Sequence, residues 1–212
     1  LSVKCRCTAM DDVMRLALGY APERSRNALH ALWMLDDALG RVIATTTEPL
    51  IGQMRLTWWH DQLVGLDSGS VPAEPILVEL ARLICNHDVT GGALAALVEG
   101  WEVLLEPLPL SNEQLRAYAT MRGERLFALS AKILGANVSM GLGAGWALID
   151  FATRCSDRVT RERALALFAR VSINGPKPLR ILAHVAKSRS KQSSCEIVMP
   201  VSRWVILRAV LS

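Results

Sequence analysis

Arg55 and His60, within the segment Gln53–Asp61, have side chains that can take part in chemistry. A guanidinium can bind a diphosphate through two hydrogen bonds at once, and an imidazole can titrate near neutral pH. The alternative is structural: Arg55 pairs with Glu48 or with an acid such as Glu99, and His60 packs or caps at a helix boundary. Of the two, Arg55 is the better functional candidate.

Asp36 and Asp37 are adjacent acids, and Arg41 follows Asp37 by four positions. If the segment is helical, Asp37 and Arg41 lie on the same helix face and can form an ion pair. The simplest interpretation is therefore a solvated acidic pair or a local partnership with Arg41. Any further role depends on the direction in which the helix faces.

Several common catalytic signatures are missing from the sequence. There is no glycine-rich nucleotide loop, no Walker motif, no H-E-x-x-H and no serine or cysteine nucleophile signature. Nucleotide-dependent enzymes, zinc hydrolases and triad hydrolases are disfavoured.

The elements that must position these side chains are predicted to be helices. In 24–46, apolar residues recur at intervals of three and four, which predicts a helix with one apolar face. Further helices are predicted at about 49–66, 74–85, 92–105, 112–134, 139–155, 161–171, 179–187 and 201–211. About ten helices in one domain over residues 1–212 must pack helix on helix, so the predicted fold class is all-α, a bundle around a central region that can be filled or left as a cavity.

The helix predicted from Pro49 carries its own apolar stripe, and Pro49 suits a first-turn position. The stripe comprises Leu50, Ile51, Met54, Trp58, Leu63 and Leu66. Trp58 and Trp59 point about 100° apart on a helix, so at most one can be central to the same core surface. Both are expected to be packing anchors.

Two helix starts are marked by capping residues. Ser111 and Gln114 have the spacing of a capping box, and Thr160 supplies an N-cap hydroxyl ahead of Arg163.

Composition excludes several classes of protein. Hydrophobic residues make up 51% of the chain and charged residues 21%, which is typical of a folded domain. No apolar stretch reaches the ~20 residues of a spanning helix, and no secretory signal is evident, so a cytoplasmic protein is expected, either free or peripheral to a membrane. Five cysteines without a metal-site spacing are expected to be free thiols.

The net charge of +4 is compatible with an anionic ligand or surface but does not identify one. The clearest basic cluster, 187–191, falls in the polar stretch Ser188–Ser194 and lacks the interleaved aromatic residues that single-strand binders use. That stretch is expected to be a solvated loop, and no nucleic-acid partner is predicted.

Ala31–Val42 followed by Glu48–His60 resembles the paired helices of the squalene/phytoene synthase family. Tyr118–Gly135 is similar to the tyrosine-bearing central helix of that family, and Gly143–Arg154 to the helix that holds its second aspartate motif. The resemblance covers roughly residues 15–170, and its most specific part is Glu48–His60. It is also suggested at 178–182 and 204–211.

The resemblance implies the α-helical isoprenoid-synthase fold with a central cavity, and a prenyltransferase that joins two prenyl diphosphates head to head. In the family, Mg²⁺ held by two aspartate motifs stabilises the charge that develops on the leaving diphosphate. The sequence departs from this pattern. The first motif falls near Gly40–Ala44, which has no acid, and the last aspartate of the second falls near Thr153.

Asp36 and Asp37 lie one turn before the expected first motif. A shift of four residues returns to about the same helix face, so the pair is a candidate Mg²⁺ site at a different depth. By resemblance, Tyr118 would line the cavity and, with Arg55, take part in catalysis. The candidates for contacting a prenyl diphosphate are Arg41, Arg55, Arg122 and Arg125.

Two functions follow. One is a prenyl-diphosphate transferase that uses farnesyl or geranylgeranyl diphosphate with Mg²⁺. The other, favoured by the missing acids, is a non-catalytic relative whose helical shell serves protein assembly or lipid handling, as in complex I assembly factors that share the fold. The Arg55-Leu56-Thr57-Trp58-Trp59 block is more similar to that branch.

Overall fold

A computed structural model describes residues 12–139, 141–168 and 175–192. Within these ranges all regular structure is helical, as predicted. The α-helices are α1 (Asp12–Gly19), α2 (Glu23–Thr45), α3 (Pro49–Gly65), α4 (Pro75–His87), α5 (Gly91–Glu102), α6 (Asn112–Tyr118), α7 (Arg125–Leu134), α8 (Leu142–Arg154), α9 (Arg158–Phe168) and α10 (Lys177–Gln192). The helix predicted at 201–211 lies outside the described residues.

Three short non-α turns join or extend these helices. Leu66–Ser68 and Val103–Leu105 are 3₁₀ turns that follow α3 and α5. Ala119–Glu124 is a π-helical turn that connects α6 to α7 without a break, so the helix predicted over 112–134 is continuous but locally widened. Widened turns of this kind occur often at functional sites.

Capping residues fix several helix ends. The capping box of Ser111 and Gln114 is present at α6, as predicted. The cap predicted at Thr160 is wrong, because α9 begins at Arg158 and the Asp157 carboxylate accepts hydrogen bonds from both the amide and the hydroxyl of Thr160, at 2.7 and 2.5 Å. At the start of α5, Asp67 accepts from the amides of Gly91 and Gly92.

The buried apolar side chains form one continuous cluster to which α1, α2, α4, α5, α7, α8 and α10 all contribute. α5 and α8 both pack on the π turn, while α3 covers α5 and both α9 and α10 pack on α8. The π turn therefore lies in the middle of the helical array.

The apolar stripe predicted for α3 does not face this core. Leu63 and Leu66 are buried, but Leu50, Ile51, Met54 and Trp58 are 73%, 46%, 66% and 44% exposed. The face that packs inward carries Gly52 and Leu56 instead. The prediction that Trp58 is a packing anchor is therefore wrong, whereas Trp59 is partly buried against the core.

The last helix that the structure describes, α10, is longer than predicted. The loop predicted at Ser188–Ser194 is wrong as far as Gln192, because α10 continues to that residue. Ser193 and Ser194 lie outside the described residues.

None of the helices in the described ranges combines the length and hydrophobicity needed to cross a membrane.

Candidate functional site

Arg122 lies in the π turn at the centre of the helical array and is 3% exposed. Its backbone is approached closely by α5, because position 100 is glycine: a Cβ there would lie 2.6 Å from the Arg122 amide nitrogen. At the next residue of the turn, Gly123 and Gly143 bring the π turn and α8 into backbone contact. Three glycines thus allow three helical segments to meet around one arginine.

The Arg122 guanidinium bridges two buried carboxylates. Its Nε and Nη2 donate to Oδ1 and Oδ2 of Asp36 at 3.0 and 2.8 Å, which is a bidentate pairing. Its Nη1 donates to Oδ2 of Asp150 at 2.9 Å and also to the Tyr118 hydroxyl. These contacts link α2, α6, the π turn and α8.

Each of the two carboxylates also accepts a hydrogen bond from a second residue. Trp101 Nε1 donates to Asp36 Oδ1 at 3.0 Å, and Arg154 Nε donates to Asp150 Oδ1 at 3.0 Å. Each of the four carboxylate oxygens therefore accepts at least one hydrogen bond from a protein donor. The charges of Asp36, Asp150, Arg122 and Arg154 also sum to zero.

Aromatic rings enclose the guanidinium. The Arg122 Cζ lies 4.1 Å from the Trp101 ring centroid, 4.7 Å from that of Trp146 and 5.5 Å from that of Tyr118. Because an aromatic face attracts a cation, and more strongly when both are away from water, these rings add to the stabilisation supplied by the carboxylates. Phe151 packs on Tyr118 with ring centroids 5.6 Å apart.

The protonation states follow from this arrangement. Burial alone would lower the pKa of Arg122, but Asp36 and its other partners hold that pKa above its usual value. Burial opposes ionisation of Asp150, but Arg154 and Arg122 outweigh it and lower the Asp150 pKa. Burial raises the pKa of Tyr118, so its hydroxyl stays neutral. The centre is thus a fixed array of ion pairs.

The donor set does not fit the Mg²⁺ that the family resemblance implies. Both oxygens of Asp36 and both of Asp150 are already occupied by N–H donors, and a cation placed between them would lie beside the Arg122 guanidinium. In the described part of the chain, no three histidine, cysteine, aspartate or glutamate side chains are grouped so that they could hold a metal ion.

The candidate residues Asp36, Tyr118 and Arg122 are brought together here. The favoured interpretation of Asp36 as a solvated acid is wrong, because Asp36 is buried, whereas the Asp37–Arg41 pair is present with Nη1 and Oδ2 3.5 Å apart. Burial raises the pKa of Asp37.

The remaining candidates lie elsewhere. Arg55 is exposed and donates to the hydroxyls of Thr45 and Thr46, at 3.1 and 3.0 Å, and not to Glu48 or Glu99. Arg125 instead pairs with Glu99 at 2.7 Å. His60 contacts its neighbour Asp61 at the surface.

Sequence reasoning missed four members of the site: Asp150, Trp101, Trp146 and Arg154. The spacing of Asp150 and Arg154 by four residues was a usable signal, and the helix that holds Asp150 had been matched to the second aspartate motif. The two tryptophans had no such signal, because their role depends on which helices α5 and α8 pack against.

A pocket of about 240 Å³ lies away from this centre, at the α2–α3 turn. It is lined by Ile43, Thr46, Thr47, Glu48, Pro49, Leu104, Leu105, Glu106, Pro107 and Leu108. We refer to it as the α2–α3 pocket.

Comparison with known proteins gives a family and a set of relatives. The model of the family described as squalene/phytoene synthase matches residues 10–167. Proteins described as "NADH dehydrogenase (ubiquinone) complex I, assembly factor 6" are similar: the one from Homo sapiens is 28% identical over 115 residues and the one from Bos taurus 27%. The match covers 54% of this chain but about a third (34%) of either relative. No solved structure matches.

Proposed function

The chain belongs to the squalene/phytoene synthase family, and from that premise we propose that it is a non-catalytic member whose helical shell serves the assembly of other proteins. The observation that supports this most directly is the Arg122 guanidinium at the centre of the bundle. It pairs with both central carboxylates, Asp36 and Asp150, and together with Arg154 it neutralises their charge.

The proposal follows from the chemistry that the family resemblance implies. Ionisation of a prenyl diphosphate requires carboxylates that can hold divalent cations against the leaving group. Replacing Arg122 by a metal ion would require the guanidinium to leave its aromatic enclosure, and breaking a buried ion pair costs about 3–5 kcal/mol. The internal arginine therefore satisfies Asp36 and Asp150 without a metal.

The assembly role is suggested by the relatives. Those from Homo sapiens and Bos taurus are named as assembly factors of NADH dehydrogenase complex I. We extend to this chain the role of binding another protein during assembly, with lipid handling as the alternative. The cytoplasmic location and the contact with a membrane surface stay predictions.

The test is an assay of diphosphate release. Purified protein is incubated with farnesyl or geranylgeranyl diphosphate and Mg²⁺, beside an active family member as positive control. We expect no release above the protein-free rate, and no saturable heat in a calorimetric titration with Mg²⁺ alone.

The competing function is the head-to-head prenyltransferase, which family membership supports. It predicts Mg²⁺-dependent release of diphosphate that disappears in Asp36→Ala/Asp37→Ala. That outcome would replace our proposal, because it would show that Asp36 or Asp37 serves the metal despite their present partners.

A further inference from the structure

Five large apolar side chains of α3 are exposed, and the first four of them along the chain lie close together on one side of the helix. Leu50, Ile51, Met54 and Trp58 fall within about 100° of one another around the helix axis, because successive residues are rotated by about 100°. We call these four residues the α3 surface. Their exposure, from 44% to 73%, marks an interaction site, since contiguous apolar patches on folded proteins usually do so.

The α2–α3 pocket adjoins this surface. Pro49 lines the pocket and is also the first residue of α3, directly before Leu50. On the inner side of the helix, Gly52 lets α3 approach Leu105, another residue of the pocket lining. The pocket therefore lies beside the N-terminal end of the α3 surface, where it can accept one large side chain of a bound partner.

Acids border this region. Glu48 and Glu106 line the pocket, and Glu102 accepts a hydrogen bond from Gln53 of α3 at 2.8 Å. Within the described ranges, none of these three glutamates forms an ion pair. The nearby cation, Arg55, is held by the hydroxyls of Thr45 and Thr46. The border thus presents three carboxylates without an ionic partner against the one positive charge of Arg55, whose hydroxyl partners are uncharged.

We propose that the α3 surface and the α2–α3 pocket dock a basic amphipathic helix of a protein partner. This rests on the proposed assembly function and specifies its partner. The apolar face of the partner helix covers Leu50, Met54 and Trp58, one of its large side chains enters the pocket, and its Lys or Arg residues pair with Glu48 and Glu106. Grooves that accept amphipathic helices combine apolar and charged recognition in this way.

The charges decide among occupants. An anionic lipid surface would be repelled by Glu48, Glu102 and Glu106. A second copy bound about a two-fold axis through this surface would place each acid against a different residue of its partner, so charge does not select this occupant and the dimer test below decides it. A helix with basic flanks matches both the apolar face and the border, which favours a protein segment.

The probe is a fluorescein-labelled 18-residue helical peptide of Leu and Lys with one apolar face, and a matched peptide has Glu in place of every Lys. Binding is measured by fluorescence anisotropy. We expect saturable binding of the Lys peptide and at least about tenfold weaker binding of the Glu peptide, a ratio that corresponds to 1.4 kcal/mol.

Two variants test the surface and the border separately. Leu50→Gln/Met54→Gln/Trp58→Gln should weaken binding of the Lys peptide about tenfold or more, whereas Val71→Gln/Val159→Gln, which alters apolar residues of similar exposure elsewhere, should leave it unchanged. Glu48→Lys/Glu106→Lys should reverse the preference between the two peptides. Its control, Glu23→Lys/Glu113→Lys, makes the same change of charge on α2 and α6 and should leave the preference for the Lys peptide unchanged.

Other outcomes overturn the inference. Equal binding of both peptides, or a preference that Glu48→Lys/Glu106→Lys leaves unchanged, would rule out recognition by the border. Binding to vesicles of phosphatidylglycerol that the α3 substitutions abolish would make the occupant a membrane, and concentration-dependent dimers lost in the same variant would make it a second copy. If the protein releases diphosphate and still prefers the Lys peptide, only the proposed function is contradicted. If it releases no diphosphate and binds both peptides equally, only the docking surface is contradicted.

Discussion

At the centre of the helical array, Arg122 holds two carboxylates at once, which the shape of its side chain allows. Lysine has three donors on one atom, whereas the planar guanidinium has five donors directed along its edges. Arg122 uses this geometry to hold Asp36 through two nitrogens while Nη1 reaches Asp150 and Tyr118.

Removing that guanidinium should therefore destabilise the protein strongly. We expect Arg122→Met to lower the free energy of unfolding by about 3–5 kcal/mol, because Asp36 and Asp150 would be left buried without their shared partner. Urea denaturation followed by circular dichroism measures the change. Arg122→Lys should fall between the wild type and Arg122→Met.

The matched control is on the same continuous helix. Arg125→Met removes a cation whose partner Glu99 is about half exposed, and such pairs contribute less than about 1 kcal/mol.

Combining Arg122→Met with Asp36→Asn and Asp150→Asn should restore part of the lost stability, because the unpaired charges are then absent. Equal losses for Arg122→Met and Arg125→Met would contradict the central role of this ion-pair array.

The pH dependence of stability has a defined sign at Asp150. Its pKa is lowered in the folded state, mainly because Arg154 and Arg122 outweigh the opposing effect of burial. The stability that it contributes is therefore present above the unfolded-state pKa of about 4 and is lost as the pH falls from there through the lower folded-state value. The contribution of Asp37 to the pH dependence of stability has the opposite sign, because burial raises its pKa in the folded state.

We expect Asp150→Asn to reduce the acid sensitivity of the protein. The free energy of unfolding of the variant should be lower than that of the wild type at pH 7, and the two curves should converge as the pH is lowered below about 4. Urea titrations at a series of pH values provide the measurement. A constant gap between the two curves down to pH 2 would show that the ionised form of Asp150 contributes nothing.

At the scale of the elements, glycines set how closely the helices approach. A Cβ on Gly123 or on Gly143 would overlap the backbone carbonyl of the other residue, which cannot move without separating the π turn from α8. The position of Arg122 between α5 and α8 depends on these contacts. The small residues of the sequence are therefore as important to the site as its charged ones.

Gly123→Ala should destabilise the protein by about 1–3 kcal/mol, since the strain of overpacking exceeds the gain of about 1 kcal/mol in helix propensity. Gly92→Ala is the control: its Cβ would meet only Asp67 Oδ2 at 3.8 Å, so this change should be neutral or stabilising by up to about 1 kcal/mol. Thermal and urea denaturation distinguish the two. A stabilised Gly123→Ala variant would show that the contact between the π turn and α8 can relax.

α3 shows that the spacing of apolar residues predicts a helix but does not predict which of its faces is buried. Its apolar residues have helical spacing, and the predicted helix is confirmed to within a residue at each end. The face that carries most of them nevertheless points outward, because Gly52 and Leu56 make the closer fit against α5 and Leu105. Spacing predicts that a helix has an apolar face, but not that the rest of the molecule covers it.

For the molecule as a whole, the described helices form an array whose middle is occupied by side chains. The region beside the Tyr118 hydroxyl, where the family resemblance implied a cavity for substrate, holds the Arg122 guanidinium and its partners. In the described part of the chain, the α2–α3 pocket and the exposed face of α3 present accessible apolar surface at the edge of the array. A role through surface contacts agrees with this distribution better than a role in chemistry at the centre. The single domain predicted over residues 1–212 stays a prediction.

The sequence by itself determined the fold class, most helix bounds in the described ranges, the capping box at Ser111 and the family, because these depend on local spacing, local hydrogen bonds and an ordered set of motifs. Only the tertiary structure decided that Arg122 would bridge Asp36 and Asp150, which lie 86 and 28 positions from it in the sequence. It also decided that α3 would leave its most apolar face exposed. Long-range contacts depend on how whole helices pack, and the spacing of residues along one helix carries no information about its neighbour.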